Sequence, residues 1–164
     1  MIRYDDYHNG IVIYENGNIK DELLRGEVYI DENSKCEGFV ENPNNQTYFI
    51  FGKFNKFNKF ELYTINESGS IIKYEAKKTM FRYNGTCTII GDNLYNMEIP
   101  ISVKVMNYDV DPRDYEVTPK DELIEKINNY KETWLQDDIN KYIYDRYMGA
   151  LFEENKENVK KWVV

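Results

Sequence analysis

The 164-residue chain has one histidine, His8, two cysteines, Cys36 and Cys87, and four prolines. A single imidazole excludes an ordinary histidine-based metal cluster, and a catalytic triad would have to use a residue beside the N-terminus. Two cysteines without a Cys-x-x-Cys pair read as reduced strand or core residues, not as a disulfide framework. Lysine and arginine number 21 against 29 aspartates and glutamates, a net charge of −8. That shortage of cations argues against a nucleic-acid partner, because such binding depends on clustered Lys and Arg that displace counterions. No apolar run approaches the ~18–20 residues that span a bilayer, and no charged-then-apolar leader opens the chain. The expectation is a cytoplasmic protein with no membrane and no nucleic acid among its partners. A glycine-rich phosphate loop and a nucleophile elbow are also missing. No catalytic residue, metal or cofactor is assigned, and the sequence points away from an enzyme.

Aromatic residues make up 15% of the chain, with 15 tyrosines, within a hydrophobic content of 41%. Such a composition predicts an ordered fold in which aromatic rings carry much of the packing. The length fits one domain over 1–164: a β part at 10–106, an acidic linker at 107–117 and a helical part at 118–164.

The densest aromatic stretch runs from Tyr48 to Ile65. Tyr48 to Phe54 is apolar at nearly every position, as in a strand buried on both faces, with Gly52 marking a bend or a close backbone approach. Phe60, Leu62 and Thr64 alternate with Lys59, Glu61 and Tyr63, the period of a strand with one inward face. Asn55-Lys56-Phe57-Asn58 between them reads as a hairpin loop.

Similar alternation, punctuated by short polar turns, predicts eight strands at 10–15, 26–31, 36–41, 47–54, 59–65, 70–78, 81–90 and 97–106. In the seventh, Phe81, Tyr83, Gly85, Cys87 and Ile89 share a face. The eighth carries Ile99, Ile101, Val103 and Val105 on one face, and Pro100, lacking an N–H, belongs at an edge, bulge or seam. Residues Ile19 to Leu24 fit either a helical turn or the start of a strand. Such a meander closes well into a barrel, which removes unpaired edges and leaves room for side chains or one small ligand. The fold class is therefore mainly β (α+β): an antiparallel barrel or strongly curved sheet, followed by one or two helices.

Asp109, Asp111, Asp114 and Glu116 lack the turn glycine and terminal glutamate of a calcium loop and read as a solvated linker. Thr118-Pro119 then starts a helix, with threonine as cap and proline at the first helical position. Leu123, Ile127, Tyr130 and Trp134 recur at helical spacing, as do Leu135, Ile139, Tyr142 and Ile143, with a break near Asn128-Asn129 or Gln136-Asp137-Asp138. In order of elements over residues 10–150, the chain resembles the calycins, barrels of eight antiparallel strands followed by a C-terminal helix. Their Gly-x-Trp is absent, Gly10-Ile11-Val12 standing in that place, and no functional residue is carried over.

Two non-enzymatic readings follow. In the first, the barrel interior takes a small, apolar ligand oriented by Tyr63, Tyr74, Tyr83 and Arg82, which requires a cavity of several hundred Å3. In the second, an acidic interaction or inhibitor module (immunity-type, regulatory or phage-encoded) meets a protein partner or a second copy through Trp134, Tyr142 and Trp162. A filled core with an exposed apolar patch on the helices would favour that reading. A hydrolase or isomerase would need carboxylates and tyrosines converging in one pocket.

Overall fold

The computed structural model describes residues 8–16, 20–66, 69–90, 98–107 and 119–152. Its strands are β1 (Asn9–Glu15), β2 (Glu22–Ile30), β3 (Lys35–Glu41), β4 (Thr47–Phe54), β5 (Lys59–Ile65), β6 (Ile71–Lys78), β7 (Tyr83–Ile90) and β8 (Glu98–Asn107). Each pairs antiparallel with the next, and β8 pairs with β1, so the sheet is a closed barrel in sequence order. Closure leaves no unpaired edge among these strands. Pro100 sits on this seam: its carbonyl accepts the Asn16 N–H at 2.6 Å, one position past the last β1–β8 pair, where a missing donor costs the ladder nothing internal.

Alternation determines what faces inward. Ile11 and Ile13, Val28, Cys36 and Val40, Ile50 and Phe54, Phe60 and Leu62, Tyr74 and Ala76, Tyr83 and Cys87, and Ile101 and Val103 form one buried cluster inside the barrel. Phe54 stacks on Phe60 at 5.0 Å, and Tyr83 meets both rings at 5.2 and 5.6 Å. Both cysteines are unpaired. Burial pushes the Cys36 thiol far above its ordinary value and that of Cys87 up to about 11, so neither supplies a thiolate at neutral pH.

Two findings correct the expected strand bounds. β2 begins at Glu22, four residues earlier than alternation predicts, because the register shifts between Ile13 and Tyr14 and leaves Leu23 as the extra residue of a bulge. Leu23 and Leu24 both pack on the interior cluster, which hides the period-2 signal. At the other end, β7 begins at Tyr83, and Phe81 is exposed in the β6–β7 turn and does not share the inward face.

Tight coiling of β2 against β3 needs glycine. A Cβ on Gly38 would lie 2.1 Å from the Glu27 carbonyl oxygen and 2.7 Å from the Val28 Cα, both backbone atoms. Its neighbour Gly26 meets the Phe39 carbonyl in the same way. Gly38→Ala is accordingly expected to force the strands apart and cost about 1–3 kcal/mol; an unchanged urea midpoint would refute this crowding.

Helices α1 (Lys120–Trp134) and α2 (Asp138–Phe152) lie on the outside of the barrel. The chain breaks between them as the Gln136-Asp137-Asp138 option predicts. Asp137 caps α2, its Oδ1 accepting the N–H groups of Ile139 and Asn140 at 2.9 and 3.2 Å. Leu123, Ile127, Tyr144, Met148 and Leu151 form a second core with Phe49, Phe51 and Tyr63 on the outer faces of β4 and β5. β4 thus buries both its faces, Ile50 and Phe54 inward and Phe49 and Phe51 under the helices, as its unbroken apolar run predicts.

The expected stripe on α2 is corrected. Ile139 and Tyr142 are 68% and 64% exposed, and the covering face is Ile143, Tyr144, Met148 and Leu151. α1 ends at its C-cap Leu135 and Asp137 caps a separate helix, so a single helical period does not run through both. Pro119 occupies the cap position of α1 without a side-chain hydrogen bond. Thr118, the linker acids Asp109, Asp111, Asp114 and Glu116, and Trp162 lie outside the described residues. No helix among the described residues is long and apolar enough to cross a membrane.

Candidate functional site

The four residues proposed to orient a ligand are not brought together. Tyr74 and Tyr83 point into the barrel, where Tyr74 Oη lies 3.4 Å from Thr64 Oγ1 and Tyr83 donates to the Lys56 carbonyl at 2.6 Å. Tyr63 is on the opposite face, stacked on Tyr147 at 4.4 Å and donating to Glu61 Oε2 at 2.6 Å. Arg82 is in the β6–β7 turn, where its carbonyl accepts from the Thr79 N–H and hydroxyl. The two interior tyrosines belong to the buried cluster inside the barrel.

Burial disfavours tyrosinate and raises the phenol pKa of Tyr63, Tyr74 and Tyr144, and that of Tyr83 to about 12. Each folded value exceeds the unfolded one of about 10, so the native state binds more protons in the interval between them. Their contribution to stability is therefore complete below pH ~10 and is lost as pH rises through the folded values. Alkaline titration is expected to show tyrosinate absorbance from these residues only as near-ultraviolet dichroism collapses. A full tyrosinate signal near pH ~10 with the fold intact would contradict this.

The strongest polar cluster joins β3 to both helices. Glu37, 8% exposed, faces outward from β3 beneath the helical layer. Lys131 Nζ of α1 lies 2.9 Å from its Oε2 and 3.1 Å from its Oε1, and Tyr144 of α2 donates to Oε2 at 2.7 Å. Lys35 Nζ adds a longer contact at 3.6 Å, and Lys131 also sits 5.2 Å from the Tyr144 ring centre. A buried carboxylate satisfied in this way fixes the seating of two helices on one strand. Sequence reasoning missed all three residues, since the partners stand 94 and 107 positions from Glu37 and no local pattern links them.

Trp134 belongs to the same layer, its ring 5.1 Å from Phe49 and 5.8 Å from Phe51. Tyr142 is at the surface and accepts from Arg146 at 3.3 Å. Every acidic residue of α1 and α2 is exposed. Two of the lysines are drawn to the barrel instead, Lys131 by Glu37 and Lys126 by the Phe39 ring at 4.9 Å. Around Ile139 and Tyr142 the exposed charges of α2 are mixed, Asp138 and Asp145 against Lys141 and Arg146.

One groove of about 250 Å3 lies on the outer wall of β5 to β7, lined by Lys59, Glu61, Glu75, Lys77, Asn84 and Thr86 over Phe60, Ala76 and Gly85. Glu61 and Glu75 are direct cross-strand partners, which brings two carboxylates side by side. Both are engaged, Glu61 by Tyr63 and Glu75 by Lys73 at 3.5 Å. His8 is buried with Nε2 3.3 Å from Glu27 Oε1, a packing position. Among the described residues, no three His, Cys, Asp or Glu side chains group to hold a metal ion.

No protein-family model, curated protein or solved structure matches the chain.

Proposed function

We propose that the protein is a non-catalytic interaction module whose outer helical face binds a protein partner through an apolar contact with a mixed-charge rim. The observation that carries this reading is the filled barrel: its interior is packed with side chains such as Phe54, Phe60, Leu62 and Tyr83, whereas Ile139 and Tyr142 stand exposed. An apolar pair ringed by charges of both signs suits a partner patch with an apolar centre and a polar rim. That partner is a different protein or a second copy of this chain.

A small-molecule binder is the second reading. Support for it comes from the outer groove with its paired carboxylates and flanking lysines, a setting for a small polar ligand. The original set Tyr63, Tyr74, Tyr83 and Arg82 would serve such a binder only if the interior repacked around the ligand.

Native mass spectrometry of the protein purified from its own host separates the two. A protein partner, or a dimer, that is lost in the Ile139→Asp/Tyr142→Ser variant is the expected result. Both positions are exposed, so the fold tolerates the change. A retained small molecule released by Glu61→Gln would favour the groove, and one displaced by altering Tyr74 and Tyr83 would return the site to the interior. A partner held equally well by the helix variant would overturn the first reading.

A further inference from the structure

The end of the barrel that carries the β4–β5 and β6–β7 turns exposes three large apolar side chains. Phe57 is 89%, Met80 84% and Phe81 87% exposed. One main-chain and one side-chain bond tie the two turns together: the Lys78 N–H donates to the Asn58 carbonyl at 2.6 Å, and the Tyr83 hydroxyl donates to the Lys56 carbonyl across 27 residues. The Phe57 turn is also braced by its own asparagine, whose Oδ1 accepts the Phe57 N–H at 3.0 Å. The apolar tips are thus presented on an anchored platform.

Their surroundings are cationic. Asn55-Lys56-Phe57-Asn58 and Lys77-Lys78-Thr79-Met80-Phe81-Arg82 contain no carboxylate. The described acids nearest these turns along the strands are Glu61 and Glu75, on the outer wall beside Lys59 and Lys77 and engaged by Tyr63 and Lys73, while Asp31 and Glu32 belong to the β2–β3 turn, which contacts β4 through Ser34. Asp31 Oδ1 is occupied by the N–H groups of Asn33 and Lys35. In a chain of net charge −8, a carboxylate-free pair of turns bearing cations is a pronounced asymmetry.

We propose that this barrel end docks on an anionic lipid surface, with Phe57, Met80 and Phe81 entering the headgroup layer and Lys56, Lys78 and Arg82 meeting lipid phosphates. A protein interface core is a packed patch with a polar rim. Here each apolar side chain stands almost fully in solvent at a turn tip, a form that a deformable interface accommodates without a matching pocket. Aromatic side chains favour headgroup depth, and basic residues beside them gain from the negative surface potential of an anionic leaflet. The acidic helices lie on the barrel's side wall, and beyond ~8 Å their repulsion is screened at physiological salt.

The test is co-sedimentation of the full chain with vesicles of phosphatidylcholine alone and of phosphatidylcholine mixed with phosphatidylglycerol. Binding to the anionic vesicles only, weakened at ~1 M salt, is expected. Phe57→Ser/Phe81→Ser should reduce vesicle affinity by about tenfold or more, as should Lys78→Glu/Arg82→Glu. Thermal unfolding of each variant verifies the fold, and Ile139→Asp/Tyr142→Ser should bind vesicles as the parent does, which separates this surface from the helical one. Absence of binding to anionic vesicles, equal binding to neutral ones, or unchanged affinity in the turn variants would overturn the proposal. It would equally be overturned if these substitutions broke self-association or a protein complex while vesicles captured nothing.

Discussion

Replacing Lys131 with methionine is expected to destabilise the protein by about 2–4 kcal/mol, although the substitution keeps the length and most of the apolar stem. The loss arises at Glu37. Its carboxylate, with a side chain 11% exposed, would keep the Tyr144 hydroxyl but lose the ammonium at 2.9 Å. Removing one member of a buried pair leaves the other charge desolvated and uncompensated, which costs more than the pair itself contributes. Lys35, at 3.6 Å, recovers part of that loss and keeps the value below that of a fully enclosed pair. Glu37→Gln/Lys131→Met should be clearly more stable than Lys131→Met alone, because the amide removes the stranded charge. Urea unfolding of the parent, both single variants and the double variant closes the cycle, and additive losses would show that the two residues are not coupled.

The strands legible in the sequence were those with one apolar and one polar face. β5, β6 and β8 read directly because Phe60-Leu62, Tyr74-Ala76 and Ile99-Val105 line the barrel, alternating with Lys59-Glu61, with Lys73-Glu75-Lys77 and with the mixed row Glu98, Pro100, Ser102 and Lys104. Alternation failed where two demands overlapped. Leu23 and Leu24 both pack inward across a bulge, so β2 lost its period. In the β6–β7 turn, Phe81 sits two residues before Tyr83 and imitates strand spacing, yet its side chain is in solvent. The helical period likewise ran through Ile139 and Tyr142 without knowing that Asp137 caps a new helix and resets the buried face. The Glu37–Lys131–Tyr144 cluster was illegible for another reason: only the folded topology brings β3, α1 and α2 to one point. A tyrosine-rich sequence also cannot say which side of the wall each ring occupies. Tyr74 and Tyr83 lie within the barrel and Tyr63 beneath the helices, so a site drawn from residue type alone combined side chains from opposite faces.

That division into two cores makes a sharp prediction for neighbours on one strand. Phe51 and Phe54 are both fully buried on β4, three residues apart, yet they serve different cores. Phe51 packs beneath the helices, its ring 5.8 Å from Trp134, 5.2 Å from Tyr144 and 6.0 Å from Tyr63. Phe54 is inside the barrel against Phe60 and Tyr83. Truncation to alanine at either site removes a ring and leaves a cavity, for an expected loss of about 3–5 kcal/mol. The distribution of the loss should differ. Phe51→Ala weakens the seating of α1 and α2 while the hydrogen-bonded barrel remains closed, so amide exchange should accelerate in the helices well before it does in β5 to β8. Phe54→Ala opens the interior that all eight strands share, and protection should fall throughout the barrel. Exchange measured by mass spectrometry on both variants decides the matter: the same uniform pattern in each would mean that helices and barrel unfold as one cooperative unit.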